Sequence, residues 1–155
     1  MTEITVRRLF ISPGHNFVGH HGQEAGKYPL HEVDEIECVA GRGVRGDRYF
    51  DYKQDYKGQI TFFASEVFEE VCRALGTGTL SPGVTRRNVI TQGADLNALV
   101  GRRFTLQGIE FEGVSECKPC YWMDQAIAPG GEAALQGRGG LRAKILSDGK
   151  LRVNR

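Results

Sequence analysis

Apolar and polar positions along this chain alternate more often than they wind. Ile4 to Ile11 alternates well enough to predict a first strand, and Glu35 to Ala40 predicts a second. Gln59 to Ala64 is a short apolar run of strand length, and Val84 to Ile90 predicts a further strand carrying Arg86, Arg87 and Asn88. Leu141, Ala143 and Ile145 alternate again, after which Ser147-Asp148-Gly149-Lys150 turns the chain into a last strand, Leu151 to Val153. The clearest local pattern is Phe104 to Phe111, where two alternating segments flank the two-residue turn Gln107-Gly108 of a β-hairpin.

Helical spacing is confined to a few places. Val67, Phe68, Val71, Cys72 and Leu75 line one face of a helix that Ser65 is expected to cap and Gly76 to stop. Asp95 is expected to cap a single turn, Leu96 to Val100, and a short helix is expected from Cys120 to about Ile127. Between the first two strands lies a Gly/His segment, from Ser12 to about Leu30, of roughly 18 residues; loops of that length are commonly functional. At least six short strands, few helices and no regular βαβ succession predict a mostly-β, α+β architecture. The expected form is a strand-rich barrel with helical decorations.

The 155 residues fit one domain spanning 1–155, and 21 glycines, about twice ordinary usage, agree with many tight turns. A formal net charge of +1 excludes a nucleic-acid footprint across the whole domain, yet allows a local anion pocket. No stretch is apolar enough to predict a membrane span, and Met1-Thr2-Glu3-Ile4 lacks the profile of a secretory leader. The expected location is therefore the cytoplasm, with the four cysteines as thiols.

Two of those cysteines form the segment Cys117-Lys118-Pro119-Cys120. A structural zinc site would need a second close pair of ligands, whereas Cys38 and Cys72 stand far apart and read as buried small hydrophobes. A thioredoxin-like dithiol needs a βαβ setting near the chain start, and this pair follows a hairpin late in the chain. A single reactive thiol remains. Pro119 suits a first helical position, which would put Cys120 in the first turn, where unpaired N–H groups favour a thiolate and Lys118 adds positive charge. Packing roles for both cysteines stay open beside that reading.

In a strand, Arg86 and Asn88 would face one side and Arg87 the other, so that one arginine could offer its planar fork to a phosphate. An exposed edge-strand pair is the alternative. Asp47 and Arg48 are expected to pair or to hold the turn after Gly46. His15, His20, His21 and His31 match no metal-ligand spacing.

Gly46-Asp47-Arg48-Tyr49, Arg86-Arg87-Asn88-Val89, the run Asp95 to Phe104 and Cys117-Lys118-Pro119-Cys120, in that order, closely resemble the MOSC domain over about residues 34–153. That domain is found at the C-terminus of molybdenum-cofactor sulfurases and as small free-standing proteins. The resemblance implies a β-barrel and places the reactive cysteine at Cys120, as candidate catalytic residue and as candidate molybdenum ligand. It implies binding of the molybdenum cofactor (molybdopterin), or carriage of sulfur as a cysteine persulfide. Arg86, Arg87, Asn88, Asp47, Arg48 and Lys118 become the candidate cofactor-binding set. Pyridoxal phosphate would enter only through a cysteine desulfurase partner. Two alternatives stand beside this reading: a molybdenum-dependent reductase of N-hydroxylated compounds served by a separate electron-transfer protein, and a binding module without chemistry.

Overall fold

A computed structural model of the chain describes residues 4–16 and 22–154. Its strands are β1 (Thr5–Ile11), β2 (His31–Val33), β3 (Glu35–Val39), β4 (Gly43–Val44), β5 (Ile60–Ala64), β6 (Val89–Gln92), β7 (Arg103–Leu106), β8 (Ile109–Glu116), β9 (Leu141–Ile145) and β10 (Gly149–Arg152). The helices are α1 (Ser65–Leu75), α2 (Trp122–Ala126) and α3 (Gly131–Ala134), with single 3-10 turns at Pro82–Thr85 and Leu96–Leu99. A seven-stranded sheet runs β2-β1-β6-β5-β9-β8-β7, and a three-stranded sheet runs β10-β3-β4.

The strand-rich α+β class is as expected, but the sheet is not closed into a barrel. Among the described residues β2 pairs only with β1 and β7 only with β8. Closure needs a strand to bridge those edges. The remaining strand, β10, instead pairs with β3 through Gly149–Cys38 to Arg152–Glu35 and builds the second sheet. One βαβ unit is also present: β5 and β6 run parallel, with α1 between them in sequence.

Apolar side chains fill both faces of the large sheet. Leu9, Ile36, Ile60, Phe62, Phe111 and Leu151 belong to one buried cluster, and Phe63, Phe68, Val71, Ile90, Trp122 and Leu135 to a second that takes in the helices. Central β5 is covered on both sides, so all five of its residues are buried and alternation is lost there.

Local chemistry explains the turns. Gln107 and Gly108 both have positive φ, 51° and 79°, as a two-residue hairpin turn requires. The Gln107 amide also exchanges two hydrogen bonds with the Arg152 backbone, at 2.7 and 2.8 Å, which ties the hairpin to β10. Gly76, at φ 67°, ends α1 as expected. Ser65 is not the cap: Ala64 holds that position, and the Ser65 hydroxyl donates to Glu66 instead. Asp95 does occupy the cap position of the turn Leu96–Leu99, without a side-chain capping bond.

The expected strand from Val84 begins only at Val89. Ser81 Oγ accepts from the Gly83 N–H and Pro82 opens a 3-10 turn, which Arg86 ends in the left-handed region at φ 61°. Alternation therefore does not govern Arg86, Arg87 and Asn88.

Burial in β3 pushes the Cys38 thiol up to about 12. The unfolded chain then loses this proton before the folded one does. Stability is fully present below about pH 9 and falls as the pH rises toward 12, by up to about 1.4 kcal/mol per pH unit. Urea unfolding at pH 8 and 10 should show this slope in the wild type and a shallower one in Cys38→Ala.

Candidate functional site

Four stretches distant in sequence converge on one cavity: Ser12 to Asn16 after β1, the turn Asp47 to Tyr49, Thr85 to Arg87 before β6, and Cys117 to Cys120 after β8. Arg142 of β9 joins them. The organiser is Asp47, whose side chain is 0% exposed. Its carboxylate accepts from the Ser12 N–H at 3.0 Å, the Tyr49 N–H at 3.4 Å and Arg48 Nη1 at 3.1 Å. Arg48 Nη2 in turn donates to the Arg86 carbonyl at 3.0 Å. The expected Asp47–Arg48 pair exists, and it also locks the loop after β1 to the turn that presents Arg86.

The Arg86 guanidinium lies buried and donates to Ser12 Oγ and the Gly14 carbonyl. Burial pushes it down to about 10, with the neighbouring Arg48 charge acting the same way. It stays cationic at neutral pH, and since the charged form is the one penalised, that cost is relieved only above about pH 10 or by an anion. Its left-handed backbone adds local strain of about 1–3 kcal/mol, of a kind that gathers at functional sites. Arg87 donates Nε to the Gly139 carbonyl and Nη1 to the Thr85 carbonyl, both at 3.2 Å.

Gly139 is pressed against the cysteine segment. A Cβ there would sit 2.1 Å from the Cys117 carbonyl oxygen, and the Cys117 N–H donates to the Gly140 carbonyl at 2.8 Å. Cys117 is 2% exposed, whereas Cys120 is partly exposed. Residues 117–120 carry neither helix nor turn, so the structure lacks the helical turn of a redox C-x-x-C pair. Cys120 precedes α2 instead of lying in its first turn: Tyr121 holds the cap position, and the Cys120 carbonyl accepts from the Met123 N–H at 2.9 Å.

The outer cavity, of about 120 Å³, is lined by Arg48, Arg86, Arg87, Lys118, Cys120 and Arg142, together with His15, Asn16, Tyr49, Thr85 and Met123. An inner chamber of about 40 Å³ shares the four arginines and Tyr49 and adds Tyr56, Gly58, Thr61 and Cys117. Five cationic side chains and no carboxylate line the two together. Half-enclosed, such a surface attracts anions.

Both arginines therefore reach the cavity, contrary to the alternation expected of a strand. Asn88 does not line it. Its Oδ1 accepts from the Thr61 N–H at 3.0 Å and from the Thr61 hydroxyl, and its Nδ2 donates to the Phe10 carbonyl at 3.2 Å, cross-linking β5 and β1. Arg142 escaped the sequence reading, although its signal was there: with Leu141, Ala143 and Ile145 buried, Arg142 must face the other side of β9. His15, Tyr49, Tyr52 and Tyr56 form an aromatic cluster, with ring centroids 4.9–5.4 Å apart, for which spacing gave no warning. Of the histidines, His15 lines the cavity, His31 lies on β2, and His20 and His21 fall outside the described residues. Among the described residues no group of three or more His, Cys, Asp or Glu could hold a metal ion, and no helix is long and apolar enough to cross a membrane.

Comparison with solved structures supports the fold. YuaD of Bacillus subtilis matches with a TM-score of 0.72 at 20% identity, over 99% of this chain and 94% of that one. YiiM of Geobacillus stearothermophilus matches at 0.68 and 13%, over 96% and 71%. YiiM of Escherichia coli matches at 0.64 and 15%, over 97% of this chain and 65% of its own. No curated protein matches the sequence. The family model of the MOSC domain, a domain associated with molybdenum-cofactor binding, matches residues 20–154 and so extends the sequence resemblance toward the N-terminus. The chain belongs to the MOSC domain family.

Proposed function

We propose that the cationic cavity receives the anionic end of the molybdenum cofactor and that Cys120 is the sulfur presented to it. The observation that carries this is the placement of the partly exposed Cys120 in a cavity with five cations and no carboxylate. The residues fit the group in two respects. A thiol is a soft ligand suited to molybdenum, and guanidinium forks suit phosphate oxygens. The volume sets a limit, since whole-cofactor pockets span about 300–1,000 Å³. Only a phosphate-sized portion would enter, and the rest would lie outside the mouth.

When bound, the cofactor would supply a redox-active metal; this chain's residues would bind and orient. Arg87 and Lys118 would hold the anion, while Arg48 and Asp47 would fix Arg86 in place. Asn88 would act at a distance, by joining the strands behind the site. In a reductase of N-hydroxylated compounds, an electron-transfer protein would complete the system.

A second reading, a persulfide carrier loaded by a cysteine desulfurase, draws support from exposure. Of the four cysteines only Cys120 is not buried, so a donor could reach it.

Expression in a cofactor-producing host, followed by assay of bound molybdenum and pterin, tests the first reading. Arg87→Ala should weaken a phosphate-monoester probe about tenfold in calorimetry, the loss expected for one hydrogen bond to a charged group. Arg87→Lys should restore little, because lysine lacks the fork. Wild-type protein free of both molybdenum and pterin would contradict the cofactor reading, and full binding by Arg87→Ala would remove Arg87 from the site.

A further inference from the structure

We propose that the inner chamber is a separate binding site for a small inorganic oxyanion, held by the Arg142 guanidinium and the Tyr56 hydroxyl. Among the described residues the Arg142 guanidinium donates no hydrogen bond and forms no ion pair, and the Tyr56 hydroxyl makes no hydrogen bond. Both line the same chamber, with Arg87 beside them. Two donors without protein acceptors facing one space can both bond an oxyanion, with charge assistance from the guanidinium.

The position of Tyr56 is built. Its ring stacks on Tyr49 at 5.4 Å and 23°, and meets Tyr52 at 4.9 Å and 62°. It lies so close over Gly58 that a Cβ there would stand 3.1 Å from the ring and 3.5 Å from the hydroxyl oxygen. Burial raises the phenol, and neighbouring Tyr49 adds to this more than Arg142 offsets it, so the hydroxyl keeps its proton through the neutral range.

Charge and size point the same way. Asp47 offsets one of the five cations, leaving four, and a phosphate monoester in the outer cavity would bring about two negative charges. About two positive charges then stay unmatched. The chamber's 40 Å³ exceeds the ~10–15 Å³ one water needs, and suits an ion built on a single central atom.

Selenate soaked into crystals of the wild type should appear in the inner chamber, within hydrogen-bond distance of Tyr56 Oη and Arg142. In calorimetry with sulfate, Tyr56→Phe, which keeps the ring stack, should bind about tenfold more weakly. Lys118→Ala should leave sulfate affinity largely unchanged while weakening a bulky phosphate monoester. Sulfate should still bind when that monoester is saturating, which separates a free ion from a monoester terminus entering the same chamber. Selenate found only beside Lys118, one-for-one displacement by the monoester, or unchanged affinity in Tyr56→Phe would each overturn the proposal. None of these measurements requires molybdenum or pterin, so their outcome is independent of the cofactor reading.

Discussion

Cys120→Ala is expected to bring bound molybdenum to background in protein from a cofactor-producing host, and to remove desulfurase-dependent persulfide. Cys117→Ala is expected to keep most of both. The two thiols differ in setting. Cys120 lines the outer cavity and is partly exposed, whereas Cys117 is buried and lines the inner chamber. The backbone of Cys117 is fixed by its bond to Gly140 and by the close approach of Gly139, neither of which needs the thiol. Replacing it therefore removes one small buried group and leaves the segment in place. Metal and sulfane-sulfur assays on the purified variants decide the matter. Equal loss in both, with a stoichiometric disulfide in the wild type, would favour dithiol chemistry.

Asp47→Ala should be the most damaging single change to stability at the site. The Asp47 carboxylate is fully buried, and Arg48, 9% exposed, has it as an ion partner. Removing one member of a buried pair costs about 3–5 kcal/mol, because the other charge is left without compensation. Here the cost also includes the two backbone N–H groups of Ser12 and Tyr49, which lose their acceptor. For a domain of this size the melting temperature should fall by roughly 10 °C. Asp47→Asn keeps acceptors and should lose less. Pairing Asp47→Ala with Arg48→Met should recover part of the loss, since no unpaired charge then remains, and thermal unfolding of the four proteins tests this.

What the sequence made legible was local. The 104–111 hairpin and the helix ending at Gly76 follow from turn residues and periodicity a few positions apart, and both are present. The Asp47–Arg48 pair was legible for the same reason, as a short motif. Features set by distant partners were not. Whether the sheet closes depends on which strand β10 joins, and that choice lies in the pairing of β10 with β3. Arg86 and Arg87 looked like strand residues because Val84 and Val89 flank them, but Ser81, Pro82 and the Thr85 hydroxyl, which bonds the Pro82 carbonyl at 2.8 Å, close a turn first. Asn88 was assigned to the site by its neighbours in sequence, whereas its side chain joins β1 to β5. Arg142 and Tyr56 sit beside the cysteines only in space.

The central claim, that Cys120 opens on an anion-binding cavity, is tested most directly by its own reactivity. Because Cys38, Cys72 and Cys117 are buried, the first thiol alkylated by iodoacetamide in the native protein should be Cys120, as peptide mapping would show. A saturating phosphate monoester should slow that alkylation several-fold, and the protection should weaken in Arg87→Ala and with added salt, as expected of an electrostatic site. An alkylation rate at Cys120 that is the same with and without the monoester would contradict the account.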